Sequence, residues 1–562
     1  MNSFRKTKIV CTLGPASSSP EMVEKLIDAG MNVARLNFSH GSHSDHTRMF
    51  NLIRKTSEKK GVYIGILQDL QGPKIRIGKV CNVSQGGLPL EPGHQIAISV
   101  DPALADNHSI LSTTYPNLAN DLKPSDRLLL DDGRLELSVD SIEGPIIRTT
   151  VVTGGILKSS KGINLPGVMV SATSPTPRDM DDLILGLELG VDFVALSFVR
   201  TPDEILSVKR EIHRRGLRTR VIAKIERPEA MDNLEAIMEV SDGIMVARGD
   251  LGVEMGPHMV PPLQKKILKR AAYHGKFVIT ATQMLESMIS APTPTRAEAS
   301  DVANAVLDGS SAVMLSAETA SGSYPVETVK MMKKIIMEVE PLVEPIRGHC
   351  FSPGLMQENA VSSSAVNAAE LLGARAIVAF TQTGATALSI SKYRSTVPVI
   401  GASPSRETLR RASIYWGVEP MEVPVAPDTD TMSSILEEHL LSDSRFRAGD
   451  LVILTAGTPF SRPGTTNMMK IVRLGGIEDI PGDGVATPFF RIELDQSCCN
   501  ICGTCEKICP AGLFRSSNGA MLTVPENGEK CLGDKLCEKN CPTGAIKLLS
   551  LDAAQRANGK KD

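Results

Sequence analysis

Eight cysteines crowd into residues 498–541, whereas the 497 residues before them hold three, Cys11, Cys81 and Cys350. Cys499, Cys502, Cys505 and Cys509, with Pro510, spell C-x2-C-x2-C-x3-C-P, and Cys531, Asp534, Cys537, Cys541 and Pro542 repeat the spacing with aspartate in second place. Thiolates so spaced hold iron–sulfur clusters, and in the doubled run the fourth cysteine serves the other cluster. That rule gives Cys499, Cys502, Cys505 and Cys541 to one 4Fe–4S cluster. It gives Cys509, Cys531 and Cys537, with Asp534 at the remaining corner, to a second. Carboxylate is a harder, weaker ligand for such iron, so the second cluster reads as 4Fe–4S with a labile iron or as 3Fe–4S. A zinc site is the alternative, although zinc sites rarely show this doubled run with both prolines. Cys498 is spare.

A second set of reactive residues is spread over the first 320 positions. Each member ends a short apolar run: Arg35, Asn37 and Ser39; Asp69, with Lys74 and Arg76 just beyond; Lys224 and Glu226; Arg248, Gly249 and Asp250; Thr282; Ser316 and Glu318. Glu226 and Asp250 fall on consecutive runs. Strands about 4.8 Å apart would let both reach one ion. Oxygen ligands without His or Cys favour Mg2+. Arg35, Arg76 and Lys224 add positive charge, and a divalent ion with an Arg/Lys clamp is what phosphoryl transfer requires. No GxxxxGK[ST] loop is present. Any one of these residues alone would more often be a surface ion pair; their gathering at successive run ends is what argues for a site. Farther on, Thr381, Thr383, Gly384 and Thr386 place hydroxyls and N–H groups at the start of a helical stretch. That arrangement binds phosphate, or is ordinary capping.

The elements that must position these residues follow from the runs. They lie at 8–14, 33–41, 63–70, 193–199, 220–226, 243–250, 277–283 and 312–319, separated by amphipathic stretches such as 260–275. Continuous apolar runs between helices read as buried parallel strands. Eight of them predict a (β/α)8 barrel with its chemistry at the C-terminal strand ends. Short alternating runs in 74–173 predict an inserted β-barrel lid domain. Strand candidates AIVAF, VPVIGAS and LVILTAG predict an open-sheet α/β domain at 355–475, which would include Trp416. The barrel is thus assigned to 1–73 and 174–345, a loose stretch to 476–494, an α+β iron–sulfur domain to 488–552, and a solvated tail to 553–562.

Lys and Arg total 61 against 64 Asp and Glu, a net charge of −3, which excludes a broadly basic nucleic-acid or membrane-surface binder. Aromatics at 4% leave no stacking platform for single strands. No apolar run approaches the ~18 residues of a membrane span. The opening MNSFRKTKIV has no apolar signal core. Clustered cysteines behind a cysteine-poor body fit a cytoplasmic enzyme with a metal-binding appendix.

The stretches TKIVCTLGPAS (7–17), NVARLNFSHG (32–41), LQDLQGPKIRIG (67–78), VIAKIERPEAMDN (221–233), ARGDLGVE (247–254), TATQMLESM (280–288) and AVMLSAETASGSYP (312–325) closely resemble pyruvate kinase, with a ferredoxin-like tail behind. The resemblance spans about 1–475. It implies transfer of a phosphoryl group from phosphoenolpyruvate to ADP, giving pyruvate and ATP, the last step of glycolysis. It implies that Lys224 stabilises the migrating group, Arg35 binds the substrate phosphate, and Glu226 and Asp250 bind Mg2+ or Mn2+. Gly249 and Asp250 would hold the substrate carboxylate, and Thr282 would deliver the enol proton. Asn37, His40, Arg76 and Lys161 would line the nucleotide side. Many family members hold K+ at positions matching Asn37, Ser39, Asp69 and the Leu70 backbone, and read GPEIR where this chain reads GPKIR. The Lys74 ammonium near Asp69 would replace that ion, making K+ dispensable; the alternative is a solvated lid residue. A phosphorylated effector at the threonine loop and a homotetramer are also implied. Ser311 and Ser323 depart from the family pattern and read as surface changes. The tail reads as a redox gate, a docking or electron-transfer module with a partner protein, or a stabilising appendix.

Overall fold

The computed structural model describes residues 5–81, 86–346, 356–458, 466–475, 484–517 and 520–550. Cys350, the start of the loose stretch at 476–483 and the tail at 553–562 lie outside the described residues. Two compact units divide the chain: Met1–Asn359 with Ala387–Arg394 and Ser405–Pro420, and Ala360–Thr386 with Ser395–Pro404 and Met421–Asp562.

In the first unit eight parallel strands close a barrel in sequence order. They are β1 (Lys8–Thr12), β2 (Val33–Asn37), β3 (Gly65–Asp69), β4 (Phe193–Leu196), β5 (Arg220–Ile225), β6 (Gly243–Ala247), β7 (Phe277–Ala281) and β8 (Ala312–Leu315). Each falls inside one of the eight apolar runs. They are buried almost throughout, as strands enclosed by helices must be. The helices start where the sequence supplies caps. Ser42 with Asp45, Thr176 with Asp179 and Thr295 with Glu298 form capping boxes at His43–Lys59, Pro177–Leu189 and Arg296–Leu307. Parallel register pairs Thr12 with Arg35 and Asn37 with Asp69, which brings the ends of β1, β2 and β3 to one rim.

Between β3 and β4 lies an antiparallel-rich domain with a six-stranded sheet and a separate two-stranded one. The connecting segment bridges both edges of the larger sheet, Arg76 to Gly162 and Ile77 to Thr113, so that sheet is rounded off. Its return chain is fastened to the barrel by two arginines. Arg200 donates to the carbonyls of Val170 (2.6 Å) and Ala172 (2.8 Å), and Arg227 to that of Val168 (3.0 Å).

One expectation is corrected here. Ser311 is not a surface residue: it is 4% exposed, with its hydroxyl accepting from Val278 N and its carbonyl from Lys8 N. Trp416, within the 355–475 segment, packs with the first compact unit. It is buried, donates Nε1–H to Thr7 Oγ1 at 3.2 Å, and lies between the cations of Lys6 and Arg394.

The second unit contains a sheet in which Val399–Ser403, Ala376–Phe380 and Leu451–Ala456 run parallel and Met468–Arg473 runs antiparallel. It also carries the cysteine-rich segment. There Gly484–Ala486, Phe490–Leu494 and Ile546–Ser550 form one antiparallel sheet, and Phe514–Ser517 with Ala520–Thr523 a hairpin. Short helices at Thr504–Ile508 and Leu536–Lys539 follow the two cysteine loops. Among the described residues no helix is long and apolar enough to cross a membrane.

Candidate active site

At the C-terminal rim, Lys224 at the end of β5 is the electrostatic centre. Its Nζ lies 2.6 Å from Ser197 Oγ, 2.9 Å from Glu226 Oε1 and 3.3 Å from Asp69 Oδ1. Burial alone would lower this ammonium, but Asp69, Glu226 and Asp250 overcome it and push its pKa up. Burial would likewise raise Asp69; Lys224 and Arg35 outweigh it and hold that carboxyl below the usual range. Arg35 reaches Asp69 Oδ2 through Nε at 2.7 Å and Thr12 Oγ1 through Nη1 at 2.9 Å.

Glu226, just past β5, is completely buried. Phe198 N donates to its Oε2 at 2.7 Å. Its Oε1 accepts no aligned hydrogen bond although Lys224 Nζ is 2.9 Å away, so that contact is charge without a donor directed along a lone pair. Burial, with Asp250 adding, pushes Glu226 up while Lys224 opposes. A buried carboxylate oxygen lacking a donor, beside a second carboxylate, fits a divalent cation held by hard oxygen ligands. Among the described residues no group of three or more His, Cys, Asp or Glu gathers as a ready-made metal cage.

Beyond β6 the chain turns into the helix Arg248–Met255. Gly249 N donates to Thr282 Oγ1 at 2.8 Å, and that hydroxyl donates to Ala281 O at 2.6 Å. Thr282 has φ +69°. A β-branched residue there stores on the order of 1–3 kcal/mol of strain.

On the lid side, Arg76 Nη1 donates to Ser160 O at 2.9 Å and Lys161 pairs with Asp131 at 2.6 Å. His40 is pushed down by partial burial and by the nearby cations Arg76, Lys74 and Arg35. Asn37 Oδ1 accepts from Ser39 N at 3.2 Å, and Leu70 O accepts from Ser197 Oγ at 2.7 Å. Lys74 is not brought to Asp69: it lines the recess beside Asp250, Phe198 and Glu254, and among the described residues its ammonium makes no ion pair. Arg35 and Lys224 occupy the Asp69 oxygens instead.

Residues 4–329 match the family model "Pyruvate kinase, barrel domain", and residues 359–472 match "Pyruvate kinase, alpha/beta domain". The chain belongs to the pyruvate kinase family. It is 45% identical over 487 residues to the pyruvate kinases of Staphylococcus aureus strains MRSA252 and USA300, covering 86% of this chain and 82% of each relative. It also matches a crystal structure of a pyruvate kinase from Cryptosporidium parvum with a TM-score of 0.77 and 35% identity, over 84% of this chain and 96% of that one.

Within this pyruvate kinase, sequence reasoning missed Ser197, Arg200 and Arg227. Ser197 ends the fourth apolar run as Lys224 ends the fifth, so the strand-end rule that found the others would have found it. Arg200 and Arg227 act on backbone carbonyls 28–59 residues away, for which no spacing signal exists. In the second unit, Thr381 Oγ1 accepts from Gly384 N at 2.9 Å, Thr383 Oγ1 from Ala385 N at 3.5 Å, and Thr386 Oγ1 from Thr466 Oγ1 at 2.9 Å. The first two threonines are therefore already acting as caps.

The cysteines are free thiols, with no disulfide among the described residues. Cys499, Cys502, Cys505 and Cys541 line one recess with Leu494, Met521 and Ile546. Burial, with Cys499 and Cys502 adding, pushes Cys505 up to about 11. Burial, with Cys509 and Cys531 adding, does the same to Cys537. Among the described residues neither set of thiols gathers as a group of three or more placed to hold a metal ion, so the division by the crossing rule stands on the spacing alone. The loops match in backbone. Ile501 and Gly503 have φ of +57° and +71°, and their counterparts Gly533 and Lys535 have +70° and +58°, which sets Asp534 in the place of Cys502. Asp534 is exposed and accepts from Leu536 N at 3.1 Å.

Proposed function

We propose that this pyruvate kinase moves the phosphoryl group of phosphoenolpyruvate to ADP at the rim centred on Lys224. The supporting observation is the burial of that ammonium against Ser197, Asp69 and Glu226. Lys224 stabilises charge on the migrating group, Arg35 binds the substrate phosphate, and Gly249 N–H with Asp250 orients the carboxylate. Thr282 passes the enol proton through water. Asn37, His40, Arg76 and Lys161 line the nucleotide side, and residues 74–173 close over the site to exclude water. Glu226 and Asp250 would hold Mg2+ or Mn2+, which supplies charge neutralisation of the phosphate when bound.

K+ is dispensable in this reading. Lys74 does not touch Asp69 but lines the recess beside Asp250, so this reading is supported by the GPKIR sequence rather than by contact. Pyruvate formation with Mg2+ in K+-free buffer is expected within about twofold of the rate with K+. Lys74→Glu is expected to make the rate depend on K+. Activation of the native chain by more than about tenfold on adding K+ would sink this reading.

The chain is divided into the barrel at 1–73 and 174–345, the lid at 74–173, an effector domain at 355–475 and an iron–sulfur domain at 488–552. A phosphorylated effector at Thr381, Thr383, Gly384 and Thr386, a homotetramer, a cytoplasmic setting and a redox partner complete the proposal. The first two rest on family resemblance, the third on the clustered free thiols.

The cysteine spacing supports two clusters: Cys499, Cys502, Cys505 and Cys541 would hold one, and Cys509, Cys531 and Cys537 with Asp534 the other. After anaerobic reconstitution the second site is expected to release iron to a chelator faster than the first, followed by EPR and iron content. Asp534→Cys is expected to abolish the difference. Reconstituted protein with no cluster signal would overturn the assignment.

A further inference from the structure

Thr282 stands in the left-handed region at φ +69° and Gln283 follows at +54°. Two consecutive non-glycine residues in that region persist only where their surroundings over-determine them. The constraint comes from one guanidinium. Arg248 donates through Nε to Ala281 O at 3.2 Å and through Nη2 to Thr282 O at 2.6 Å, with Met284 Sδ at 2.8 Å from the same nitrogen. Its Nη1 pairs with Asp301 at 2.7 Å. One side chain therefore grips the carbonyls before and after the strained Thr282 backbone. The next residue, Gly249, fixes the Thr282 hydroxyl through its own N–H at 2.8 Å. Arg248 is only 9% exposed.

We infer that Arg248, braced by Asp301, is the positioning residue that aims the Thr282 hydroxyl for proton delivery to the enol carbon. The inference rests on the role given above to Thr282. The fork geometry matters: a guanidinium presents several N–H donors in a fixed plane, whereas a single ammonium cannot span two carbonyls and a carboxylate with the same angles. Charge is kept by lysine and geometry is lost, so Arg248→Lys separates the two.

The test follows the proton and the substrate separately in the full-length enzyme. Exchange of pyruvate methyl protons with deuterated solvent is measured by NMR with Mg2+ and inorganic phosphate in the site. The KM for phosphoenolpyruvate and Tm are measured beside it. Arg248→Lys is expected to lower exchange and kcat by about tenfold or more, since small misplacements cost up to about 100-fold, while KM stays within about twofold. Asp301→Asn is expected to shift the same readouts in the same direction by less, and it tests the brace even if Arg248 variants fail to fold. Thr282→Ala separates the two ideas. If Thr282→Ala keeps full exchange, the proton role of Thr282 fails, and this inference with it. If Thr282→Ala loses exchange but Arg248→Lys and Asp301→Asn keep it and move only Tm or KM, the inference alone is overturned and the ion pair is a structural tie.

Discussion

Lys224→Met is expected to lower turnover by at least about a thousandfold and to destabilise the chain at the same time. The activity loss follows from the role proposed for the ammonium, stabilising charge on the transferring phosphoryl. The stability loss follows from what it leaves behind. Glu226 is wholly buried with one oxygen accepting only from Phe198 N and the other facing Lys224. Asp69 keeps Arg35. Removing one partner of a buried pair costs about 3–5 kcal/mol because the other charge is stranded. The pH dependence has a definite sign. Glu226 is pushed above the ordinary carboxylate range, chiefly by burial, and loses its main opposing charge in the variant. The folded state then binds a proton more tightly than the unfolded chain, so stability is present at low pH and is lost as pH rises through the raised pKa. The Tm deficit should therefore shrink in mildly acid buffer and grow in neutral and alkaline buffer. Mg2+, by binding the folded form, should recover part of it. Turnover within tenfold of wild type would remove Lys224 from the centre of the mechanism.

The second large effect is expected in the cysteine-rich tail. Cys505→Ser should leave residues 484–550 open to limited proteolysis while kinase turnover stays unchanged. The buried core of that segment is ten residues among those described, and two of them, Cys505 and Cys537, are thiols. A segment of ~65 residues buries too little apolar surface to be secure without a staple. Metal ligation supplies folding free energy in domains of this size. Phosphoryl transfer needs no electron, so saturation curves for phosphoenolpyruvate from reduced and oxidised protein should coincide. A shift between them would make the clusters a gate on the barrel. A Cys505→Ser tail as protected as the native one would show that the hydrophobic core suffices alone.

The barrel was legible because each strand is buried on both faces and reads as an unbroken apolar run, from KIVCT at β1 to AVML at β8. Strand-end polarity pointed to Arg35, Asp69, Lys224, Glu226, Gly249 and Thr282, and the fold brings these side chains or amides to one rim. What stayed hidden depends on side-chain reach rather than periodicity. Lys74 sits two residues past Gly72, but the turn carries it to the recess beside Asp250 and away from Asp69. Ser311 follows a helix and looks polar, yet it is a buried tie between β7 and the start of β1. Trp416 follows an α/β texture but packs on Thr7. The Arg248 grip on Ala281 and Thr282 spans more than thirty residues and leaves no local trace.

The two crossings between barrel and lid are mechanically unequal. The outgoing one turns at Gly72, with φ +72° and the Phe198 ring 2.7 Å from where a Cβ would stand, so only glycine fits. The returning one is pinned at the carbonyls of Val168, Val170 and Ala172 by Arg200 and Arg227. In the proposed mechanism, closure of residues 74–173 would therefore turn about the pinned return chain more easily than slide along it. Because Arg227 is the residue after Glu226, the pinned edge is joined through one peptide bond to the carboxylate proposed to carry the ion, so such a turn would leave that carboxylate in place.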